Sequence, residues 1–295
     1  MNLKNIDDWH PEWVRAMEKE VNSLIKSSFA EDLSDWGDVT SQAIFRKNEV
    51  KAARVIAKSD GIVAGLFAAR RTFEHMHPEI DVTDAYEDGD SVAHGNVLLT
   101  VEGPVVDLLT AERTALNFLG RLSGIATLTR KFVDAVSGTQ AKILDTRKTT
   151  PGLRFLEKYA VRQGGGINHR MGLFDRVLVK DNHIEAAGGI SPAVLAVRDY
   201  FKRWGLTLPI EVEVRNLAEL EEALSQNVQQ IMLDNMDVET IRQAVRQTAG
   251  RVPLEVSGGI TLETVRPIAE TGVDFISVGA LTHSAPVFDV SMQMV

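Results

Sequence analysis

Six short apolar runs recur through the second half of the chain, and each ends on polar or small residues. They are KILD (142–145), RVLVK (176–180), IEVEV (210–214), QIMLD (230–234), PLEVS (253–257) and DFISVG (274–279). Between the later runs lie stretches with apolar residues at helical spacing, 191–204, 217–225, 238–248 and 262–270. Asp237 and Thr261 stand where N-caps belong. Strand and helix in alternation imply a parallel sheet with crossover helices. Repeated this often, the pattern predicts a β/α barrel, here an incomplete one. A doubly wound open sheet is the alternative.

The first part of the chain has a different rhythm. Residues 11–28 carry Trp13, Met17, Val21, Leu24 and Ile25 on one helical face. Segments 51–57, 61–65 and 96–101 read as short strands between turns such as Asp88-Gly89. Residues 108–131 read as a long apolar helix that Gly120 and Gly124 kink, interrupt or open to close packing. Residues 285–295 leave the strand–helix rhythm and are expected to pack back on the first part. The predicted fold is thus α/β: an N-terminal α/β sandwich over 1–124, with 285–295 returning to it, and a barrel over 125–284. The boundary region is 124–140.

Composition narrows the function classes. The 295 residues are 44% hydrophobic and 25% charged, as in an ordinary globular protein. There is no cysteine, which excludes disulfides, thiolate nucleophiles and Cys-based metal sites. The opening residues lack the basic and apolar regions of a signal peptide, and no apolar run reaches membrane-spanning length, so a cytoplasmic location is expected. The net charge of −9 argues against a general nucleic-acid binder. Any anion site must be a local concentration of positive charge.

In a β/α barrel the site forms on the loops after the strands. The first run is followed by Thr146, Arg147 and Lys148, and the second ends at Lys180 before Asp181, Asn182 and His183. The third carries Glu211 and Glu213, and the fourth ends on Asp234-Asn235. The fifth ends in Ser257, Gly258 and Gly259, and the sixth in Ser277, Val278 and Gly279. Ahead of the second run lies the glycine-rich loop 162–170, which ends in His169-Arg170. Arg147, Lys148, His169, Arg170 and Lys180 thus supply cations, Glu213 and Asp234 supply acids, and the glycines let a backbone approach a phosphate. The inventory fits a substrate with several negative charges, opposed by acids that serve a divalent cation or a cationic transition state.

Taken singly, these signals are weak. An Arg-Lys pair after a strand is most often a solvated loop, and a Gly-Gly pair is most often a turn. His10 and His183 read as ordinary polar residues, and His75-Met76-His77 as a surface loop. A charge inside an apolar strand, as at Glu213, needs a partner, and Lys180 and Asp234 read as a candidate ion pair. No Walker A sequence, dinucleotide-binding turn or G-x-S-x-G elbow is present.

The stretch ILDTRKTTPGLRFLEKYAVRQGGGINHRMGLFDRVLVKDNHI (143–184) resembles the signature region of the quinolinate phosphoribosyltransferase family. The resemblance extends to EDLSDWGDVTS (31–41), ERTALNFLGRLSGIATLT (112–129), EVEVRN (211–216), IMLDNM (231–236), LEVSGGI (254–260) and ISVGALTHS (276–284). It implies an N-terminal α/β sandwich and an incomplete barrel. The implied reaction joins quinolinate to phosphoribosyl pyrophosphate, with Mg²⁺ as cofactor, and yields nicotinate mononucleotide, pyrophosphate and CO₂.

By the same resemblance, Arg147, His169, Arg170 and Lys180 form the basic wall for quinolinate. Thr146 belongs to the same binding surface, and Lys148 is shared between substrates. Glu213 and Asp234 lie near the ribose and the magnesium, meeting the metal through water. Ser257, Gly258, Gly259, Ser277, Val278 and Gly279 cradle the 5′-phosphate, with His283 close by. Arg113 reaches the neighbouring subunit's site, so the implied partner is a second copy of the chain. Lys148, Glu213 and Asp234 are the expected catalytic residues.

Three other readings remain open on the sequence. One is a relative of the same fold with a different acceptor. Another is a barrel lyase using Lys148 or Lys180 as a Schiff base. The third is a non-catalytic nucleotide sensor, which would have no need of Glu213 and Asp234.

Overall fold

A computed structural model describes residues 11–46 and 49–295; His10 lies outside them. In chain order the elements are α1 (Pro11–Leu33), α2 (Val39–Ile44), β1 (Val50–Ala57), β2 (Gly61–Ile62), α3 (Leu66–Met76), β3 (Asp81–Asp84), β4 (Ser91–Val92), β5 (Val97–Pro104) and α4 (Val105–Ala135). There follow β6 (Lys142–Leu144), α5 (Arg154–Gln163), β7 (Val177–Val179), α6 (Asp181–Ala187), α7 (Ile190–Trp204), β8 (Ile210–Val214) and α8 (Leu217–Ser225). The last elements are β9 (Gln230–Asp234), α9 (Val238–Thr248), β10 (Leu254–Ser257), α10 (Leu262–Ala269), β11 (Phe275–Ser277), α11 (Ala280–His283) and β12 (Val290–Met294).

The chain divides into two compact units, and the cut differs from the expected one. The first unit takes the chain up to Arg130, then Thr149–Gly165, then Leu281–Val295. The second takes Lys131–Lys148 and Gly166–Ala280. The segment 149–165 leaves the expected barrel because its polar and apolar anchors lie in the first unit. Buried Glu157 on α5 accepts from Arg121 of α4 at 2.6 Å and from the Thr150 hydroxyl at 2.8 Å. Buried Tyr159 donates to Asp88 at 2.7 Å, and the Leu156 amide donates to Glu20 of α1 at 3.2 Å.

The first unit is built on an antiparallel sheet in the order β12-β1-β5-β3. The terminal strand pairs with β1 from Ala53↔Met294 to Ala57↔Val290. Helix α1 buries Met17, Val21, Ile25 and Phe29, a one-turn repeat that defines its apolar stripe. Helix α4 runs unbroken through Gly120 and Gly124, so these glycines serve close packing. A Cβ on Gly124 would stand 2.0 Å from the Pro286 carbonyl oxygen. The Phe288 amide donates to the Gly120 carbonyl at 2.9 Å. The histidine pair is not a plain loop. His75 lies in the last turn of α3, its ring stacked on Phe29 at 5.9 Å.

The second unit carries a parallel six-stranded sheet in the order β6-β11-β10-β9-β8-β7. Strands β6 and β7 stay at opposite edges, so the barrel is incomplete. Ile167 makes a single parallel bridge to Leu144 beside β6. The glycine-rich loop therefore enters the sheet edge at its end rather than passing over the surface. Alternation along each strand sorts the side chains. Val212, Val214, Ile231, Leu233, Leu254, Val256 and Ile276 are all essentially buried. The opposite parity carries Glu211 and Glu213 on β8, Gln230 and Asp234 on β9, Glu255 and Ser257 on β10, and Ser277 on β11. The registers Glu211↔Gln230, Met232↔Glu255 and Glu255↔Phe275 keep these on one face. A barrel interior is ordinarily filled with branched apolar layers; here that face is ionisable. Among the described residues no helix is long and apolar enough to cross a membrane.

Candidate active site

Asp145, fully buried at the end of β6, organises the segment that follows the glycines. Its carboxylate accepts the Asn168 side-chain amide at 2.5 Å and the His169 backbone N–H at 2.9 Å. That places the His169 imidazole inside the sheet face. Its Nε2 lies 3.0 Å from Glu211 and 3.4 Å from Glu255, and its Nδ1 accepts the Arg170 backbone N–H at 2.7 Å. A proton on Nε2 faces the two carboxylates.

Gln230 completes the cluster. Its amide donates to Glu211 at 3.0 Å and to Glu255 at 2.6 Å, and its carbonyl accepts from Arg176 at 2.8 Å. The Ser277 hydroxyl donates to Glu255. Glu211 and Glu255 are both fully buried. Burial pushes Glu255 up, and the neighbouring Glu211 charge adds to this. At Glu211 burial works upward too, but the His169 hydrogen bond and the Arg176 charge outweigh it, and its pKa falls. Burial alone would lower His169; the two carboxylates overcome that and raise it to about 9.

His169, Glu211 and Glu255 also have the donor types of a metal site. Each carboxylate already receives protein donors, Gln230 and Arg176 at Glu211 and Gln230 and Ser277 at Glu255. The acids expected near magnesium, Glu213 and Asp234, lie farther along the same strands on the same face. Glu213 is paired with Lys180 at 3.2 Å. Asp234 accepts the Asn235 side-chain amide at 2.9 Å. The expected Lys180–Asp234 pair is thus replaced by Lys180–Glu213, because Lys180 continues the β7 register that sets Leu178 opposite Glu211. Asp234 is one strand farther away. Two oxygen-donor carboxylates fit a magnesium ion that takes its remaining ligands from phosphate and water.

The cations collect on the loops. Arg147 is half-buried, and its buried Nε has no hydrogen-bond partner. Burial holds Arg170 below its usual value, and the like charge of Arg147 lowers it further. Lys148 is exposed, and its amide donates to the Thr146 hydroxyl at 3.0 Å. Asp175 holds the turn after Arg170 by accepting the Met171 and Gly172 amides at 2.6 and 2.9 Å. His183 serves helix α6, its Nδ1 accepting the Lys180 amide at 3.0 Å.

At the far loops, Gly258 sits at φ +101°, where a Cβ would meet the Asn235 side chain at 2.2 Å. Only glycine fits there. Gly259, at φ +60°, faces open space. The Val278 amide is used in the sheet, donating to Leu144 at 2.9 Å, and the Ser277 hydroxyl is turned to Glu255. Arg113 and His283 belong to the first unit. Arg113 is exposed on α4, and the His283 Nδ1 lies 2.7 Å from the Ser284 hydroxyl.

The sequence gives Glu211 a place on its strand but no role, and singles out neither Glu255, Gln230 nor Asp145, although a signal for the two glutamates exists. A charge inside an apolar strand needs a partner, as at Glu213. The same holds for Glu211, two residues earlier, and for Glu255 in PLEVS.

An acid-lined interior ringed by cations at the strand ends of a parallel sheet has the layout of an α/β enzyme's active site. Comparison with known proteins specifies it. The quinolinate phosphoribosyl transferase N-terminal domain matches residues 38–123 and the C-terminal domain matches 125–293. The chain belongs to the quinolinate phosphoribosyltransferase family. It is 46% identical to the chloroplastic nicotinate-nucleotide pyrophosphorylase [carboxylating] of Arabidopsis thaliana, covering 93% of this chain and 83% of that one. It is 43% identical to the probable nicotinate-nucleotide pyrophosphorylase [carboxylating] of Bacillus subtilis, over 93% of both. The solved nicotinate-nucleotide pyrophosphorylase of Francisella tularensis superposes with a TM-score of 0.89 at 42% identity, covering 94% of this chain and 96% of that one.

Proposed function

We propose that this chain is a decarboxylating quinolinate phosphoribosyltransferase, a pentosyltransferase of NAD biosynthesis. It joins quinolinate to phosphoribosyl pyrophosphate and releases nicotinate mononucleotide, pyrophosphate and CO₂. The observation that carries this reading is the pair Arg147 and Arg170, two mutually repelling guanidinium groups, one with a buried unpartnered N–H. Such a pair is relieved by an anion, and arginine suits bidentate carboxylate contacts.

In the reaction the quinolinate nitrogen attacks C1 of the ribose, and pyrophosphate leaves with the bonding pair. The centre passes through a cationic, oxocarbenium-like state, by analogy with glycoside cleavage. Glu213 and Asp234 stabilise that charge, and Lys180 holds Glu213 in place. The ribosylated ring nitrogen is cationic and takes the electrons left when the adjacent carboxylate departs as CO₂; that carbon then takes up a proton. Magnesium, when bound, neutralises pyrophosphate charge, and Glu213 and Asp234 are the residues that would hold it through water. No nucleophile from the protein is required, which separates this reading from a Schiff-base lyase. The protein contributes positioning and electrostatics.

A homodimer is part of the proposal: Arg113 is exposed on α4, and the family resemblance assigns it to the neighbouring subunit's site. So is a cytoplasmic location, in keeping with a cysteine-free chain. The test is acceptor choice. Quinolinate is expected to turn over and nicotinate, with one carboxylate fewer, to be a poor acceptor. Arg147→Met should raise KM for quinolinate by about 100-fold, the loss of one charge-assisted contact. Equal turnover of nicotinate would contradict the reading.

A further inference from the structure

We propose that Glu255 is a positioning residue that joins two parts of the site, holding the His169 imidazole on one oxygen and the Ser277 hydroxyl on the other. The inference uses the phosphoribosyl-transfer reading for its kinetic consequences, while its geometry stands apart from that reading.

Glu255 is fully buried in the sheet interior and has no exposed surface with which to touch a substrate. Its Oε1 receives the Ser277 hydroxyl, and its Oε2 receives the Gln230 amide at 2.6 Å and lies 3.4 Å from His169 Nε2. Both ends of this link carry functional segments. Ser277 closes β11 and is followed at once by Val278-Gly279, one side of the proposed phosphate cradle. The His169 ring accepts the Arg170 amide on Nδ1, so its orientation fixes the main chain from which the Arg170 guanidinium departs.

This carboxyl fork adds a side-chain link between the Arg170 segment and the Gly279 loop, which lie more than 100 positions apart in the chain, to the main-chain link that β6 supplies through Leu144. Glu211 contributes at the imidazole only, at 3.0 Å, and Gln230 bridges the two acids. Neither reaches Ser277. Among the described side chains of this cluster, Glu255 is the one that receives the Ser277 hydroxyl and also lies against His169, a geometric role that a merely space-filling core residue does not have.

The test pairs a spectroscopic reading with kinetics. The His169 imidazole signals are followed by ¹H–¹⁵N NMR on the ligand-free protein, assigned with His169→Gln. Ser277→Ala does not touch the ring, yet it should shift the Nε2 signal, because the change passes through Glu255. Glu255→Met should shift it further and raise KM for both substrates by about tenfold or more, with a smaller change in kcat. A ring signal unmoved by Ser277→Ala would overturn the proposal, as would a Glu255→Met variant that loses only thermal stability and keeps both KM values. If Glu255→Met does not fold, Ser277→Ala decides the matter alone. If the unmodified chain does not turn over quinolinate, the functional reading fails while the ring signal still tests the link.

Discussion

Asp88 offers a stability prediction that can be worked through from the structure. The residue lies in the first unit, where its carboxylate accepts the Leu66 amide at 3.0 Å and the Tyr159 hydroxyl at 2.7 Å. It thereby fastens the start of α3 to α5. Burial raises its pKa from 3.8 to about 6, against the hydrogen bonds that lower it. A carboxyl raised on folding stabilises the fold fully below its unfolded value near 3.8, and this is lost as pH climbs through about 6. A shift of roughly two units corresponds to about 3 kcal/mol. Asp88→Asn keeps the acceptor for Leu66 and can donate to the Tyr159 oxygen, so it mimics the protonated acid at every pH. Relative to the unmodified protein the variant should therefore gain on the order of 3 kcal/mol between pH 4 and pH 7.5. For a unit of this size that is roughly 6–12 °C in Tm. Glu20, raised to about 7 chiefly by burial, slopes the same way in both proteins and cancels in the comparison. Differential scanning fluorimetry across that range is the assay. A Tm difference that stays constant from pH 4 to pH 7.5 would refute the account of Asp88.

Two further substitutions test packing and chemistry. Gly124→Ala puts a methyl 2.0 Å from the Pro286 carbonyl and must push residues 286–288 off α4, costing about 2–3 kcal/mol in urea unfolding; unchanged stability would refute the close approach. Glu213→Ala should lower kcat by about 100-fold or more while quinolinate binding, followed by calorimetry, stays within about threefold; unchanged turnover would remove Glu213 from the reaction.

The alternation of apolar runs and amphipathic stretches carried much of the barrel. Strand β8 at Ile210–Val214 and helices α8 and α9 fall where the periodicity put them, because each buries one face against its neighbours. Segment 149–165 did not read correctly. Its helix α5 buries Glu157 and Lys158 as well as Tyr159, so charged residues mask its apolar face, and the partners that bury them are remote in sequence. The strand-end cations are expected as a set, since strand ends converge by construction. The interior cluster is not. Whether Glu211 faces a helix or the barrel interior depends on strand parity and on a histidine brought in by a single bridge at Ile167. The Lys180 partner was misread for the same reason: adjacent strands share a register, and β9 is one strand too far.

The central claim is that the acid-lined interior and its guanidinium pair transfer phosphoribose to quinolinate with loss of CO₂. The most direct measurement incubates the purified protein with carboxyl-labelled quinolinate and phosphoribosyl pyrophosphate, with and without Mg²⁺. The account predicts CO₂, pyrophosphate and nicotinate mononucleotide in equal amounts, with release dependent on the metal. Pyrophosphate release without CO₂, or no release from quinolinate at all, would contradict it.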